Sequence, residues 1–305
     1  MRGGYFHNAE GTRIAYREGG AAGGRPVLFC YGLICSAHHF RYQLEHLGRT
    51  HRTLVMDYPG HDRSDAPARL TDLTFQSLAR DHGDLLDRAR IGGPVHLVGH
   101  SMGVNLALEF ALRYPHRVSS LILMAGAAGF APGRSTKSAL RVQALQEVLR
   151  LADGLAPRVT ETAWRLQNYL PGSRAFARFM GFHPTLTTEE DLTACLDVFA
   201  RFEPRVFVQL LGAYARHDVR HRLSELKVPA LVIAGGRDRI VSPERVQELA
   251  LALPKAELAV IKEGSHCPQL DLPHEVNSRM TAFFSRVESG AVSAPEQVRR
   301  AADRA

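Results

Sequence analysis

Apolar residues along this 305-residue chain follow two rhythms that alternate. One consists of short continuous runs: VLFCY (Val27–Tyr31), RTLVMD (Arg52–Asp57), VHLVG (Val95–Gly99), SSLILMA (Ser119–Ala125), PALVIAG (Pro229–Gly235) and AELAVI (Ala256–Ile261). Runs of this length rich in β-branched residues read as buried strands. The other is helical periodicity, over His38–Gly48, Phe75–Arg90, Met102–Tyr114, Pro243–Leu253 and His274–Val287. Strands without an exposed face, separated by helices, predict an α/β fold with a mostly parallel central sheet covered by helices on both faces. Two further strand-like pieces, Tyr5–His7 and Thr12–Arg17, flank the turn residues Asn8 and Gly11 and predict an antiparallel hairpin at the sheet edge.

Between residues 126 and 222 the alternation stops. Helical periodicity persists, strand candidates are few, and aromatics accumulate, among them Trp164, Phe176, Phe182, Phe199, Phe207 and Tyr214. This pattern predicts a helical cap (lid) inserted into the sheet's connectivity. The organisation is then an α/β core in two parts, 1–125 and 223–287, a cap over 126–222, and a flexible tail over 288–305 whose small and charged residues lack an apolar face. The cap aromatics can wall a pocket or form the cap's own core, and the sequence leaves both open.

Composition narrows the function classes. With 45% hydrophobic and 23% charged residues the chain matches a soluble globular protein. Its formal charge of +7 is spread along the chain without a dense basic run interleaved with aromatics, so no nucleic-acid partner is expected and the charge serves solubility or steering. Residues 130–222 hold 13 Lys plus Arg against 9 Asp plus Glu, which allows an acidic substrate but fits a solvated basic face better. No apolar stretch is long enough for a membrane span, and the polar opening MRGGYFHNAEGTRIAYREGG carries no export signal, so a cytoplasmic location is expected. Cys30, Cys35, Cys195 and Cys267 are too scattered for a disulfide framework or a zinc site and read as reduced thiols, Cys267 as a buried filler. His217 and His221 lie one helical turn apart without a third ligand and read as a solvated helix face. No metal and no cofactor are expected. Oligomeric state leaves no mark in the sequence.

One motif carries chemistry. GHSMG (Gly99–Gly103) stands where a buried strand meets a helix, and small residues two before and two after Ser101 permit a sharp turn that exposes its hydroxyl. A serine hydroxyl is a weak nucleophile at neutral pH and needs a base, which in turn needs a third group to hold its tautomer. Asp238, in AGGRDRIVSP, follows one strand by a few residues, and His266, in KEGSHCPQ, follows the next by a similar interval. Parallel strands end on one edge of the sheet, where such a sheet places its ligand site, so Ser101, Asp238 and His266 are expected to meet there. The competing readings are an aspartate capping a turn or pairing with Arg237 or Arg239, and a structural histidine in a loop that Gly264 and Pro268 mark as exposed.

With these landmarks in the order serine, acid, histidine, the chain resembles the α/β-hydrolase family over about Tyr5–Val287. The family's acid can instead follow the preceding strand, but LILMAGAAGF there contains no carboxylate. The resemblance implies a serine hydrolase with catalytic Ser101, Asp238 and His266, a nucleophile elbow that includes Gly99, His100 and Gly103, and an oxyanion hole from the backbone N–H groups of Leu33 and Met102. Two positions depart from the family pattern. Tyr31 stands where HGx-type loops carry histidine, and Asp62 replaces the second glycine in DYPGHDRSD, a turn that aspartate tolerates. A serine nucleophile disfavours the dehalogenase and epoxide-opening branches. What remains is an acyl-enzyme on Ser101, formed from a small carboxylic ester or related acyl compound with an apolar portion. Thioester, lactone or carbon–carbon bond hydrolysis or perhydrolysis on the same triad is the alternative, and a noncatalytic ligand receptor is a third reading.

Overall fold

The computed structural model describes residues 1–130, 144, 147–148, 151, 154–167 and 170–291. Its strands are β1 (Arg2–His7), β2 (Arg13–Gly20), β3 (Pro26–Cys30), β4 (Arg52–Met56), β5 (Val95–His100), β6 (Val118–Met124), β7 (Ala230–Gly235) and β8 (Ala256–Ile261). They form one sheet in the order β1-β2-β4-β3-β5-β6-β7-β8. β1 and β2 pair antiparallel, as do β2 and β4, and every other pair is parallel. The six strands expected from the continuous apolar runs are present within one residue of their expected bounds, and the hairpin is present with longer strands, β1 starting three residues earlier and β2 ending three residues later than expected.

The helices are α1 (Arg41–Leu47), α2 (Phe75–Arg88), α3 (Met102–Arg113), α4 (Pro157–Leu166), α5 (Ser173–Gly181), α6 (Glu189–Arg201), α7 (Pro204–Arg216), α8 (Pro243–Ala252), the single-turn α9 (Pro268–Asp271) and α10 (Pro273–Glu288). α1 packs against α10, and α2 against α3. Every residue of β5 is buried, as a strand covered on both faces requires, and so is α3 from Met102 to Leu112. α2 starts where it does because Thr74 accepts the Ser77 N–H while the Ser77 hydroxyl accepts the Thr74 N–H, a reciprocal cap. α4 to α7 all lie between β6 and β7, where the strand alternation ceased in the sequence.

The connections position the site. From β3 the chain passes through α1 to β4 on one side, then through α2 to β5 on the other side of β3. This reversal opens a crevice beyond the carboxyl ends of β3 and β5, where Tyr31 and Ser101 follow.

Two expectations need correction. The tail was expected to start at residue 288, yet Glu288 closes α10 and its carboxylate lies 3.1 Å from both His51 Nε2 and His96 Nε2. A charged side chain that meets buried partners extends the helix beyond its last apolar residue; residues 292–305 lie outside the described residues. His217 is not on a solvated face either: it is 8% exposed, stacks on Phe75 at 4.1 Å and bonds Glu109 at 3.1 Å. It is the first residue past α7, and the chain turns it inward, whereas His221 remains exposed.

Candidate active site

Ser101 follows β5 directly, with φ 56° and ψ −123°, in the left-handed half of backbone space that residues with a Cβ rarely occupy. Two glycines make the turn possible. A Cβ on Gly103 would stand 2.0 Å from Cys30 O, and one on Gly99 2.6 Å from Gly103 O, so α3 starts as close to β3 and β5 as backbone can approach. The Ser101 N–H donates to Met124 O at 2.9 Å, which ties the strained residue to β6.

The three side chains singled out in the sequence meet. His266 Nε2 lies 2.9 Å from Ser101 Oγ, and His266 Nδ1 lies 2.9 Å from Asp238 Oδ2. The second carboxylate oxygen of Asp238 accepts the backbone N–H groups of Ile240 (2.8 Å) and Val241 (2.9 Å), so the acid is held from both sides. Arg237 pairs instead with Glu263, and Arg239 stacks over Phe179, which rules out the surface ion pair. An ionised Asp238 selects the His266 tautomer with its proton on Nδ1, leaving the Nε2 lone pair for the serine proton.

The loop carrying His266 was expected to be exposed; instead Gly264 to Asp271 is buried throughout. The cause is the segment between β6 and β7. Asp271 accepts the N–H and hydroxyl of Ser265 on one oxygen and the Thr187 hydroxyl on the other, while the Ser265 hydroxyl lies 3.1 Å from Gly181 O. A buried carboxylate at the end of α9 thus links the histidine loop to the chain between α5 and α6.

His100 makes a contact that its place in the pentapeptide did not reveal. Its Nε2–H donates 2.8 Å to the carbonyl oxygen of His266. Burial, followed by its proximity to His266, keeps the His100 imidazole neutral by pushing its pKa well below the ordinary histidine value. The residue before the serine therefore anchors the backbone of the residue that faces the serine. His39 is also held neutral, pushed down to about 3, chiefly by burial. Nothing in the sequence marked the His100 contact, because its partner lies 166 residues away along the chain.

On the loop after β3, Gly32 lies against the serine: a Cβ there would stand 3.0 Å from Ser101 Cβ and 3.4 Å from its Oγ. Leu33 comes next and lines the adjoining cavity, and Met102 begins α3, where a first-turn N–H has no partner within the helix. Ile34 takes a positive φ of 52°, strain on a β-branched residue that closes a tight turn with Cys35 N–H bonded to Gly32 O at 3.3 Å. Tyr31 fills the strand end: its hydroxyl accepts the Tyr58 N–H at 2.9 Å, and the Tyr58 hydroxyl donates back to Tyr31 O at 2.9 Å. This exchange ties the loop after β3 to the loop after β4. Asp62 sits at φ 42°, the left-handed conformation its place in the glycine pattern demands, and pairs with Arg17 at 2.6 Å.

A cavity of about 720 Å³ opens beside Ser101 and His266. Its walls include Leu33, Phe130, Phe176, Phe182, Phe199 and Tyr214, and no lysine, arginine or carboxylate lines it among the described residues. Phe176, 65% exposed, marks its mouth. The aromatics between β6 and β7 serve both anticipated roles, since Trp164 packs on Phe199 and Phe207 to form a local core. Three arginines in the same segment pair with nearby acids, Arg165 with Glu161 and Arg174 and Arg178 with Glu189, and none of the three lines the cavity. All four cysteines are free and buried, and burial pushes the Cys267 thiol well above its ordinary range.

The chain is similar to known proteins in sequence and fold. The α/β hydrolase fold family matches residues 25–168. A 2-hydroxy-6-oxononadienedioate/2-hydroxy-6-oxononatrienedioate hydrolase of Burkholderia vietnamiensis is 32% identical over 243 residues, 77% of this chain and 77% of its own length. The dihydrolipoyllysine-residue acetyltransferase component of the acetoin cleaving system of Pseudomonas putida is 30% identical over 285 residues, 90% of this chain and 68% of its own. Among solved structures, the enol-lactonase of Burkholderia xenovorans superposes with a TM-score of 0.75 at 22% identity, covering 92% of this chain and 100% of that one. Sheet order, strained serine turn and sequence likeness agree, and the chain belongs to the α/β-hydrolase fold family.

Proposed function

We propose that the protein is a serine hydrolase that transfers the acyl group of a carboxylic ester, or a closely related acyl compound, to water through an acyl-enzyme on Ser101. The observation that carries this reading is the unbroken relay from Asp238 through His266 to Ser101, both links 2.9 Å long, beside an apolar cavity. His266 Nε2 takes the hydroxyl proton as Oγ attacks the acyl carbon, and the imidazolium formed is stabilised by Asp238. The oxyanion of the tetrahedral intermediate turns to the N–H groups of Leu33 and Met102, each worth about 100-fold or more in turnover. His266 gives its proton to the leaving alcohol. Water deprotonated by the same nitrogen then attacks the acyl-enzyme, and collapse of the second tetrahedral intermediate returns the proton to Ser101.

The described residues between β6 and β7 act in this reading as the cap that supplies much of the acyl pocket; the rest of the expected cap, including residues 131–143, lies outside the described residues. Phe176, Phe182 and Phe199 solvate hydrocarbon, which favours an acyl portion with an apolar chain over a dicarboxylate. The hydrolase name of the Burkholderia vietnamiensis relative supports hydrolysis as the reaction class.

A panel of p-nitrophenyl esters of increasing acyl length tests the proposal. The expected result is turnover whose kcat/KM rises with chain length until the cavity is filled, abolished in Ser101→Ala. Saturable binding without turnover by the intact protein, or undiminished turnover by the variant, would overturn it.

A further inference from the structure

At the opposite end of β5 from Ser101, three side chains from distant parts of the chain converge. His96 is the second residue of β5, His51 immediately precedes β4, and Glu288 is the last residue of α10. With a rise of about 3.3 Å per residue, this cluster lies about 16 Å from the serine. His51 Nε2 and His96 Nε2 are each 3.1 Å from the same carboxylate oxygen of Glu288, and the three ligand atoms lie within 4.8 Å of one another. Both imidazoles are buried against Phe284, while the Glu288 side chain keeps 30% of its surface in solvent.

We propose that His51, His96 and Glu288 form a binding site for a zinc-like first-row divalent cation, separate from the hydrolytic centre. Four-coordinate zinc holds nitrogen and oxygen ligands at about 2.0–2.1 Å, which makes each edge of the tetrahedron about 3.3 Å. The two observed Nε2–Oε1 separations already match that edge, and an inward swing of the rings by at most about 1.5 Å closes the triangle. The solvent-facing side of Glu288 provides the ion's entry path and room for a water as fourth ligand.

The outer contacts suit the exchange. His96 Nδ1 lies 2.7 Å from the Ser120 hydroxyl and His51 Nδ1 2.8 Å from the Thr50 hydroxyl. A hydroxyl both donates and accepts. Without metal, each neutral ring can donate Nε2–H to Glu288 and accept at Nδ1. With metal, the ring proton shifts to Nδ1, donates to the hydroxyl and frees the Nε2 lone pair. Two imidazoles and one carboxylate suit Zn²⁺, Co²⁺ or Ni²⁺ over Mg²⁺ or Ca²⁺, which prefer oxygen throughout. A bound ion would clasp the end of α10 to the amino ends of β4 and β5. The simpler alternative is a hydrogen-bonded clamp that never takes metal.

Co²⁺ titration of the chelator-treated full chain, followed by its visible ligand-field bands, decides between them. The expected result is a tetrahedral band saturating at one equivalent, displaced by Zn²⁺, retained in His266→Gln, and weakened by at least about 10-fold in affinity in Glu288→Gln and His51→Gln. Zn²⁺ should also raise Tm in the unmodified protein and leave Tm of Glu288→Gln unchanged. Glu288→Gln is conservative and partly solvated, so it tests the site even if the histidine variant fails to fold. No saturable band, or one equally strong in Glu288→Gln, would overturn the proposal and leave a clamp.

Discussion

Replacing Asp238 by asparagine tests the relay more sharply than removing the side chain, because the surroundings dictate how the amide must sit. One oxygen of Asp238 accepts two backbone N–H groups, from Ile240 and Val241, and only the amide oxygen of asparagine can take over that position. The NH₂ group must then face His266 Nδ1, where the second oxygen lies 2.9 Å away in the unmodified protein. A donor there forces Nδ1 to accept, and the neutral ring carries its proton on Nε2. That nitrogen, 2.9 Å from Ser101 Oγ, can then no longer take the serine proton. The fold loses little, since two of the three bonds to the carboxylate survive in kind. The expected loss is about 10⁴-fold in kcat, as for asparagine in the acid position of serine proteases, or about 5.5 kcal/mol of transition-state stabilisation. KM should change by less than about 10-fold, since the cavity walls are untouched. Steady-state kinetics on the best p-nitrophenyl ester, with Tm measured in parallel, check this. A kcat within about 10-fold of the unmodified enzyme in a folded variant would refute the tautomer argument.

Three further substitutions probe separate features. Gly103→Ala brings a methyl group within 2.0 Å of Cys30 O, backbone against backbone, and should destabilise by about 4 kcal/mol or more, visible as loss of soluble protein or a collapsed chemical-denaturation midpoint. His100→Ala leaves the His266 carbonyl without its 2.8 Å donor; kcat should fall by about 10–100-fold while KM stays nearly constant, and a rise in KM alone would point to the pocket instead. Asp81, fully buried with Asn8 as a hydrogen-bond partner, has its carboxyl pushed up to about 7 mainly by burial. Because the folded-state value exceeds the ordinary 3.8, ionisation opposes folding, and this contribution to stability is lost as pH rises from about 4 through 7. Asp81→Asn should therefore gain Tm relative to the unmodified protein across that window, and a Tm difference independent of pH would contradict the assignment.

Local signals and remote contacts were not equally legible in the sequence. Continuous runs such as VHLVG specify a doubly covered strand whatever their neighbours, and Gly99 and Gly103 bracket a turn that only small residues permit, so sheet and serine turn could be read directly. Asp238 and His266 were legible because parallel strands end on one edge. The supports of the site were not. The bond from His100 to the His266 carbonyl spans 166 residues, Ile34 gives no hint of its positive φ, and the Asp271 anchor acquires meaning only once the chain between α5 and α6 lies over it. The same covering explains why a loop punctuated by Gly264 and Pro268, normally a mark of exposure, is buried. His217 looked solvated because helical spacing says nothing about a residue one step beyond the helix end.

The central claim is that Ser101 is the nucleophile and His266 its base. Peptide-level mass spectrometry after incubation with an alkyl fluorophosphonate tests it most directly, since such reagents react much faster with an activated serine than with an ordinary one. The account predicts one adduct per chain, on the peptide carrying Ser101, absent in Ser101→Ala and strongly slowed in His266→Ala. An adduct on another residue, or labelling of Ser101 at an unchanged rate without His266, would contradict it.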